Sequence, residues 1–135
     1  MRFLIVEDSN SIRKIIKKTL QRMEFEDKSP TISEAINGKQ AWQKMQDACR
    51  DNELPDLILC DWNMPGMSGL ELVKDLREEE ACKNIPIIMI TTVGEKSKVI
   101  KAIQAGINNY LLKPFEEEDL KFKIFETLKC VVPGV

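Results

Sequence analysis

Short apolar runs and amphipathic segments alternate along the chain. The run from Arg2 to Val6 is apolar without alternating polarity, which is typical of a strand buried on both faces. Four further strands, of which the first is the weakest, are predicted at Thr31 to Ala35, Leu57 to Cys60, Pro86 to Ile90 and Asn109 to Leu112. Strands that alternate with helices in this way predict an α/β domain with a parallel sheet.

A helix with one apolar face is predicted after each strand. The first runs from Ser11 to Met23 with Ser9 or Asn10 as its cap, the second follows Asn37-Gly38, the third runs from Leu70 towards Ala81, the fourth lies between Gly94 and Gly106, and the last begins at Glu116. The residues expected to face the core are Ile12, Ile15, Ile16, Leu20 and Met23, then Ala41, Trp42, Met45, Ala48 and Cys49, then Leu70, Val73 and Leu76, then Val99, Ile100 and Ile103, and finally Leu120, Ile124, Phe125 and Leu128. The basic residues of the first helix are expected to form a solvated face.

Composition narrows the possible functions. The chain has 135 residues, and we expect residues 1–130 to form one domain and residues 131–135 a short C-terminal tail. With 20 basic and 22 acidic side chains the net charge is −2, which argues against nucleic-acid and membrane partners. The absence of histidine excludes the Ser-His-Asp triad, the Cys-His pair and a His-ligated zinc site.

Compartment and redox state follow from what the sequence lacks. No apolar run approaches the roughly eighteen residues of a membrane span, and the N-terminus does not have the layout of a signal peptide. The cysteines, at positions 49, 60, 82 and 130, have no CxxC spacing. We therefore expect a cytoplasmic protein with reduced, buried thiols.

Polar residues follow four of the predicted strands directly. Glu7 and Asp8 follow the first, Asp61 the third, Thr91 the fourth and Lys113 the fifth, so they should meet at one edge of the sheet. Carboxylates about 4 Å apart repel by about 4 kcal/mol per pair at an effective dielectric near 20, so a proton, Lys113 or a metal must offset them. Hard oxygen ligands favour Mg²⁺. A carboxylate, a divalent ion, a lysine and a hydroxyl predict a phosphoryl-transfer site with Asp61 as the nucleophile.

At these residues the sequence resembles the response-regulator receiver family, from about Met1 to Leu128. The motifs that carry the likeness are the acidic pair Glu7-Asp8, the run Asp61-Trp62-Asn63-Met64-Pro65-Gly66, Thr91, and Tyr110 before Lys113-Pro114-Phe115. Trp62 and Tyr110 make the chain most similar to stand-alone chemotaxis regulators of the CheY type. The resemblance implies a flavodoxin-like (βα)5 three-layer sandwich whose five-stranded parallel sheet has the order 2-1-3-4-5.

The resemblance also implies a phosphoacceptor and a metal site. Asp61 would accept the phosphoryl group from the phosphohistidine of a CheA-like histidine kinase. Asp8, Asp61 and the backbone carbonyl of Asn63 would ligate Mg²⁺ directly, and Glu7 would act through bound water.

The remaining residues of the motif would form the switch. Lys113 would pair with Asp61 at rest and with a phosphoryl oxygen afterwards, and the Lys113-Pro114 bond would be cis. Thr91 would turn its hydroxyl to the phosphate, and Tyr110 would swing inward. Val93 stands where the family tunes hydrolysis of the acyl phosphate, and its apolar side chain predicts slow self-dephosphorylation because it cannot orient water.

These roles describe a monomeric, phosphorylation-switched binding module rather than a metabolic enzyme. Phosphorylation would redraw the surface formed by the fourth helix, fifth strand and fifth helix, for docking on a flagellar motor switch protein or another partner. A phosphatase is a further candidate partner.

Several alternatives stay open at this point. The first is a phosphorelay intermediate that passes the phosphoryl group to a histidine-phosphotransfer protein, and another is that the sequence is a fragment of a larger regulator. A Mg²⁺-dependent phosphatase with an aspartyl phosphate is disfavoured because Asn63 stands where such enzymes place an acid/base. A flavin-binding module is disfavoured because Glu7 and Asp8 would repel the phosphate of the cofactor.

Overall fold

Strands and helices alternate strictly in the computed structural model, which describes residues 1–25, 29–64, 66–92 and 96–131, the last range without the side chains at 96, 130 and 131. The strands are β1 (Arg2–Val6), β2 (Thr31–Ala35), β3 (Leu57–Asp61), β4 (Ile87–Thr92) and β5 (Asn109–Lys113). The helices are α1 (Asn10–Arg22), α2 (Gly38–Arg50), α3 (Gly69–Glu78), α4 (Lys96–Ala105) and α5 (Glu117–Val131). Of the predicted tail, residues 132–135 lie outside the described ranges, as does Val93.

The strands form a five-stranded parallel sheet in the order β2-β1-β3-β4-β5, which confirms the predicted fold class and strand order. Strand β1 lies between two neighbours, with Val6 opposite Ala35 of β2 and Cys60 of β3. Strands β3 and β5 pair with β4 in the same parallel sense. The carboxyl ends of these strands therefore lie at one edge of the sheet.

Helices cover both faces of the sheet. One face packs against α1 and α5 through Phe3, Ile5, Ile16, Leu20, Leu59, Ile90, Leu120, Ile124 and Leu128. The other packs against α2, α3 and α4 through Leu4, Val6, Met45, Ile58, Leu72, Leu76, Met89 and Ala102. Consecutive residues of β1 alternate between the two cores, which is why its sequence is apolar without alternating polarity.

Helices α1, α2 and α3 each begin with a residue whose side chain caps the N-terminus of the helix. Ser9 accepts a hydrogen bond from the backbone N–H of Ile12, and Asn37 accepts one from Gln40 at 2.7 Å. Ser68 accepts one from Glu71 at the start of α3. Each cap satisfies a backbone donor that has no partner within its helix, so the entry to the helix is fixed close to the strand edge.

Four large side chains predicted to face the core are exposed, and those expectations were wrong. Ile15 and Phe125 are 47% and 45% exposed, and Ile100 and Ile103 are each 55% exposed. In α1 a buried Thr19 faces the core instead, and its hydroxyl donates to the carbonyl of Ile15 at 2.9 Å. Apolar residues spaced three and four apart cover a wide arc of a helix, and the sheet covers only part of that arc.

The expectation of four buried thiols was wrong for Cys49, which is exposed near the end of α2. Cys60 and Cys82 are reduced and buried, as expected, whereas the side chain of Cys130 lies outside the described part of the chain. Burial raises the pKa of the Cys60 thiol, so this group stays protonated and acts as a small apolar side chain.

The basic face of α1 is partly neutralised by carboxylates of neighbouring elements. Arg13 and Lys17 both form ion pairs with Glu34 of β2, at 3.2 and 3.3 Å. Arg22 pairs with Glu117 at the start of α5 at 3.3 Å.

Among the helices that the structure describes, none is long and apolar enough to cross a membrane.

Candidate functional site

The register of the sheet brings the predicted site residues to one edge. Glu7 directly follows Val6, which lies opposite Cys60, and Asp61 is the next residue of β3. Asp61 in turn lies opposite Ile90, so Thr91 is one residue further along β4. Lys113 lies opposite Thr92 at the end of β5. Parallel pairing alone thus places residues that are distant in the sequence at adjacent strand ends.

Three carboxylates meet at this edge. Glu7, Asp8 and Asp61 each offer a carboxylate oxygen, and these oxygens lie within 4.8 Å of one another. Glu7 and Asp61 are buried, whereas Asp8 is exposed. The cluster is therefore enclosed on the side of the sheet and open to solvent on the side of Asp8, as an ion or a phosphoryl donor would require.

Lys113 supplies the cation of the site. Its Nζ atom donates a hydrogen bond to Asp61 Oδ1 at 3.2 Å and lies 3.0 Å from Glu7 Oε1. Burial alone would lower the pKa of Lys113, but the carboxylates of Glu7 and Asp61 outweigh burial and raise it. The ammonium group is therefore held charged beside Asp61. The Lys113-Pro114 peptide bond is cis, as the resemblance implied.

Glu7 is the most constrained member of the cluster. Its Oε2 atom accepts a hydrogen bond from the backbone N–H of Ser9 at 3.2 Å, whereas its buried Oε1 accepts none within the described residues, although Lys113 is its ion-pair partner. Burial raises the pKa of Glu7 to about 7. The contact with Lys113 opposes this rise, and the nearby charge of Asp61 adds to it.

The donor set fits a hard divalent cation. Three carboxyl groups face a single ammonium, so the ligand set of the site is acidic. Acidic oxygen ligands suit Mg²⁺, and an unsatisfied buried carboxylate oxygen needs a partner. The carboxyl groups of Glu7, Asp8 and Asp61 would hold the ion, and the ligation by the backbone carbonyl of Asn63, with Glu7 acting through water, stays a prediction.

Asn63, Thr91 and Tyr110, which were also predicted to belong to the site, lie around the carboxylate cluster or outside it. Asn63 is exposed, and its backbone N–H donates to Asp61 Oδ1 at 3.4 Å, which orients the loop after β3 around that carboxylate. Thr91 is buried at the end of β4. Tyr110 lies outside the carboxylate cluster, opposite Met89 in the register, with its ring 4.9 Å from Lys123 Nζ.

Gly69 positions Asp61, a role that was not predicted from the sequence. Its N–H donates to the carbonyl of Trp62 at 3.0 Å, and a Cβ atom at this position would overlap the carbonyl oxygen of Asp61. The start of α3 can therefore approach the end of β3 only without a side chain. The sequence did contain a signal for this close approach. Gly69 comes directly after the helix cap Ser68, at a position where the helix needs no special backbone angles and glycine therefore requires another explanation.

Comparisons with known proteins agree with this geometry. The model of the response regulator receiver domain matches residues 3–125. The chemotaxis protein CheY1 of Helicobacter pylori is 48% identical over 124 residues, 92% of this chain and 94% of that protein. The CheY homolog of Campylobacter jejuni is 45% identical over 128 residues, 95% of this chain and 92% of that protein.

The fold comparison gives the same result. The solved structure of the chemotaxis response regulator CheY4 of Vibrio cholerae has a TM-score of 0.80 at 35% identity, and the match covers 94% of this chain and 98% of that one. Receiver domains bind Mg²⁺ at an acidic pocket, and Glu7, Asp8 and Asp61 form an acidic cluster here. The chain belongs to the response regulator receiver family, and it is similar to the CheY chemotaxis proteins within it.

Proposed function

We propose that this protein is a signalling switch in which Asp61 accepts a phosphoryl group from a histidine kinase in a Mg²⁺-dependent reaction. The observation that carries the proposal is the buried Asp61 carboxylate, which lies 3.2 Å from Lys113 Nζ and within a cluster of three carboxylates. A nucleophile, a fixed cation and ligands for a divalent ion are the groups that phosphoryl transfer needs. Residues 1–130 would form the receiver domain and residues 131–135 its short tail.

The transfer would exchange one bond to phosphorus for another. An Asp61 carboxylate oxygen attacks the phosphorus atom, a P–O bond forms, the P–N bond to the donor imidazole breaks, and the nitrogen leaves with its electron pair. Bound Mg²⁺ would supply electrostatic stabilisation of the phosphoryl oxygens. Lys113 is held charged where it can exchange the Asp61 oxygen for a phosphoryl oxygen.

Phosphorylation would be read out on the face formed by α4, β5 and α5. The aspartyl phosphate carries more negative charge and more acceptor oxygens than a carboxylate, so conformations in which Lys113 and Thr91 reach it become favoured. The face already exposes Ile100, Ile103 and Phe122, the last 63% exposed. A groove of about 410 Å³ lies beside Phe122 and Tyr110 and could accept an apolar side chain of a partner.

The similarity to CheY proteins supports chemotaxis as the pathway. The partners would then be a CheA-like kinase, a flagellar motor switch protein and a phosphatase, and the protein would act in the cytoplasm as a monomer without binding nucleic acid or membrane. It would be a phosphoacceptor with self-dephosphorylation and not an enzyme of metabolism. The phosphorelay role is the alternative, and capture of only a histidine-phosphotransfer protein by the activated form would favour it.

The proposal is tested with a small-molecule phosphoryl donor. Incubation with acetyl phosphate and Mg²⁺ should add the mass of one phosphoryl group to the wild type, and chelation of the metal should prevent this. Asp61→Asn should gain no mass, whereas the control Asp75→Asn, which removes a carboxylate from α3, should react like the wild type. Equal phosphorylation of Asp61→Asn and the wild type would contradict the assignment.

The lifetime of the phosphoryl group is a separate proposal. Val93 lies outside the described residues, and the prediction of slow self-dephosphorylation rests on its apolar side chain. Val93→Glu should shorten the half-life measured by loss of the phosphorylated mass, because a carboxylate can orient water. An unchanged half-life would contradict the prediction.

A further inference from the structure

Arg77 of α3 donates hydrogen bonds to three residues on two segments, the chain after α3 and the connection between α4 and β5, at the edge of the sheet opposite the acidic cluster. Its Nε donates to the carbonyl of Gly106 at 2.9 Å, just after α4. Its Nη1 donates to the carbonyl of Cys82 at 3.1 Å, and its Nη2 donates to Asn108 Oδ1 at 3.0 Å, just before β5. A guanidinium group carries these donors in a rigid fork, so the three acceptors are held in a fixed arrangement.

Asn108 extends this arrangement to β4. Its Oδ1 also accepts the backbone N–H of Ile87 at 2.9 Å, and its own N–H donates to the carbonyl of Ile87 at 2.9 Å. Ile87 is the first residue of β4. Arg77 and Asn108 therefore connect the end of α4 to the beginnings of both strands that flank it in the chain.

Gly106 ends α4 and lies directly against the stem of Arg77. Its φ is +112°, and a Cβ atom here would lie 3.1 Å from both Cγ and Nε of Arg77. Its N–H donates to the carbonyls of Ala102 and Ile103, both at 3.1 Å. The C-terminal end of α4 is thus packed and hydrogen-bonded to α3 at once.

The two ends of α4 lie at different distances from Asp61, the proposed phosphoacceptor. β4 ends at Thr92, at the edge that carries Asp61, and α4 begins at Lys96. The helix then runs back along the sheet to Gly106 at the opposite edge. The beginning of α4 thus lies near the edge of the acidic cluster, and the Arg77 contacts lie at its far end.

We propose that Arg77 is a positioning residue that anchors the C-terminal end of α4, so that the rearrangement caused by phosphorylation is confined to the half of α4 nearest Asp61. This inference rests on the proposed function and adds where the moving segment stops. Arg77 would act by holding the end of α4 in place, since its hydrogen bonds go to Gly106, Cys82 and Asn108 and not to the acidic cluster.

Amide hydrogen exchange of the full chain, followed by NMR, tests the anchor. All samples contain Mg²⁺, and each protein is measured with and without beryllofluoride as the phosphoryl mimic. The variants are Arg77→Lys, which keeps the charge and most of the stem but not the three-donor fork, and Arg77→Met, which keeps only the stem. The control is Lys74→Met, which removes an exposed cation from the same helix.

In the wild type, beryllofluoride should change the amide exchange rates of residues 97–101. The exchange rates of Gly106, Ile107 and Asn108 should stay within about twofold of their values without beryllofluoride. Both Arg77 variants should exchange these three amides about tenfold faster than Lys74→Met, because charge-assisted hydrogen bonds hold them in place. In both variants the response to beryllofluoride should extend through residue 108, an effect that loss of stability alone would not produce.

A wild-type response as large at residues 106–108 as at residues 97–101 would overturn the anchor and leave the proposed function intact. Exchange of the three amides in both Arg77 variants at the rate of the control would overturn it as well. A wild type in which no amide responds to beryllofluoride would overturn both the proposed function and the role of Arg77.

Discussion

The Nζ atom of Lys113 lies 3.2 Å from Asp61 Oδ1, and the same ammonium group is 3.0 Å from Glu7 Oε1. One cation is thus shared between two buried carboxyl groups, one just after β1 and one at the end of β3, and Asp8 adds a third nearby. The carboxyl groups outnumber the cation, and a proton on Glu7 or a further cation would offset the excess. This excess of carboxyl groups underlies the response to metal and to phosphorylation that we propose for the site.

Removal of the shared cation should destabilise the metal-free protein and strengthen metal binding. We expect Lys113→Met to lower the free energy of unfolding by about 2 kcal/mol in chelator at pH 8, because Glu7 and Asp61 then repel without compensation. Mg²⁺ should bind at least about tenfold more tightly to the variant, since the site is more negative. Urea unfolding and calorimetric titration measure the two effects. The control Lys18→Met removes an exposed cation from α1, and equal behaviour of the two variants would contradict the prediction.

Stability without metal should depend on pH through Glu7. Its pKa is about 7 in the folded protein and 4.5 as the ordinary value, so the folded state binds more protons between these values. The contribution of protonated Glu7 is therefore fully present below about 4.5 and is lost as the pH rises through about 7, with a total of about 3 kcal/mol.

Glu7→Gln separates this contribution from other titrations. In chelator the variant should lack the decline between pH 4.5 and 7 that Glu7 causes, and at pH 8 it should be more stable than the wild type. Urea unfolding across this range is the measurement. Glu53→Gln, which neutralises an exposed carboxylate, should retain the wild-type profile. A Glu7→Gln profile parallel to the wild type would show that Glu7 does not titrate in this range.

Gly69→Ala should displace the backbone that carries Asp61. The added methyl group would overlap the carbonyl oxygen of Asp61 and lie 3.1 Å from Trp62 Cα, and backbone cannot yield as a flexible side chain does. We expect a loss of roughly 3 kcal/mol in unfolding free energy and weaker Mg²⁺ binding. Gly66→Ala is the comparison, because that glycine has φ +81° and no atom within 4 Å of the added group. Its cost should be about 1 kcal/mol, with unchanged Mg²⁺ affinity.

The thiols should differ in reactivity with a water-soluble reagent. In a Cys130→Ser background, Cys49 should react at the rate of an exposed thiol under native conditions, whereas Cys60 and Cys82 should react only after unfolding. Mass spectrometry of labelled peptides measures the three sites separately. Labelling of Cys60 in the native protein at the rate of Cys49 would contradict the buried position beside Asp61.

The strands were the most predictable elements because burial on both faces leaves a strong sequence pattern. The bounds of β1 and β2 were predicted without error, and β3 was extended only by Asp61. The positions of Glu7, Asp61 and Lys113 at strand ends followed directly, because a polar residue after an apolar run marks where a buried strand leaves the sheet. The roles of these residues in phosphoryl transfer stay predictions.

The helices were located correctly, but their buried faces were not fully predicted. In α4 the sequence favoured Ile100 and Ile103 as core residues, yet among the side chains that the structure describes in this helix Ala102 is the fully buried one. Hydrophobicity alone ranks isoleucine above alanine, whereas close packing of a helix on a sheet selects a small side chain at the point of contact. The exposed isoleucines lie on the face that we propose for partner binding.

The sequence by itself determined which segments become strands and helices and which chemical groups stand at the strand ends, because these depend on local patterns of apolar and polar residues. Only the tertiary structure decided that Glu7 is fully buried and shares Lys113 with Asp61, and that Gly69 and Arg77 hold neighbouring backbone in place. Such relationships depend on distances between residues far apart in the chain. They are set by the register of the sheet and the packing of helices upon it, which no local pattern contains.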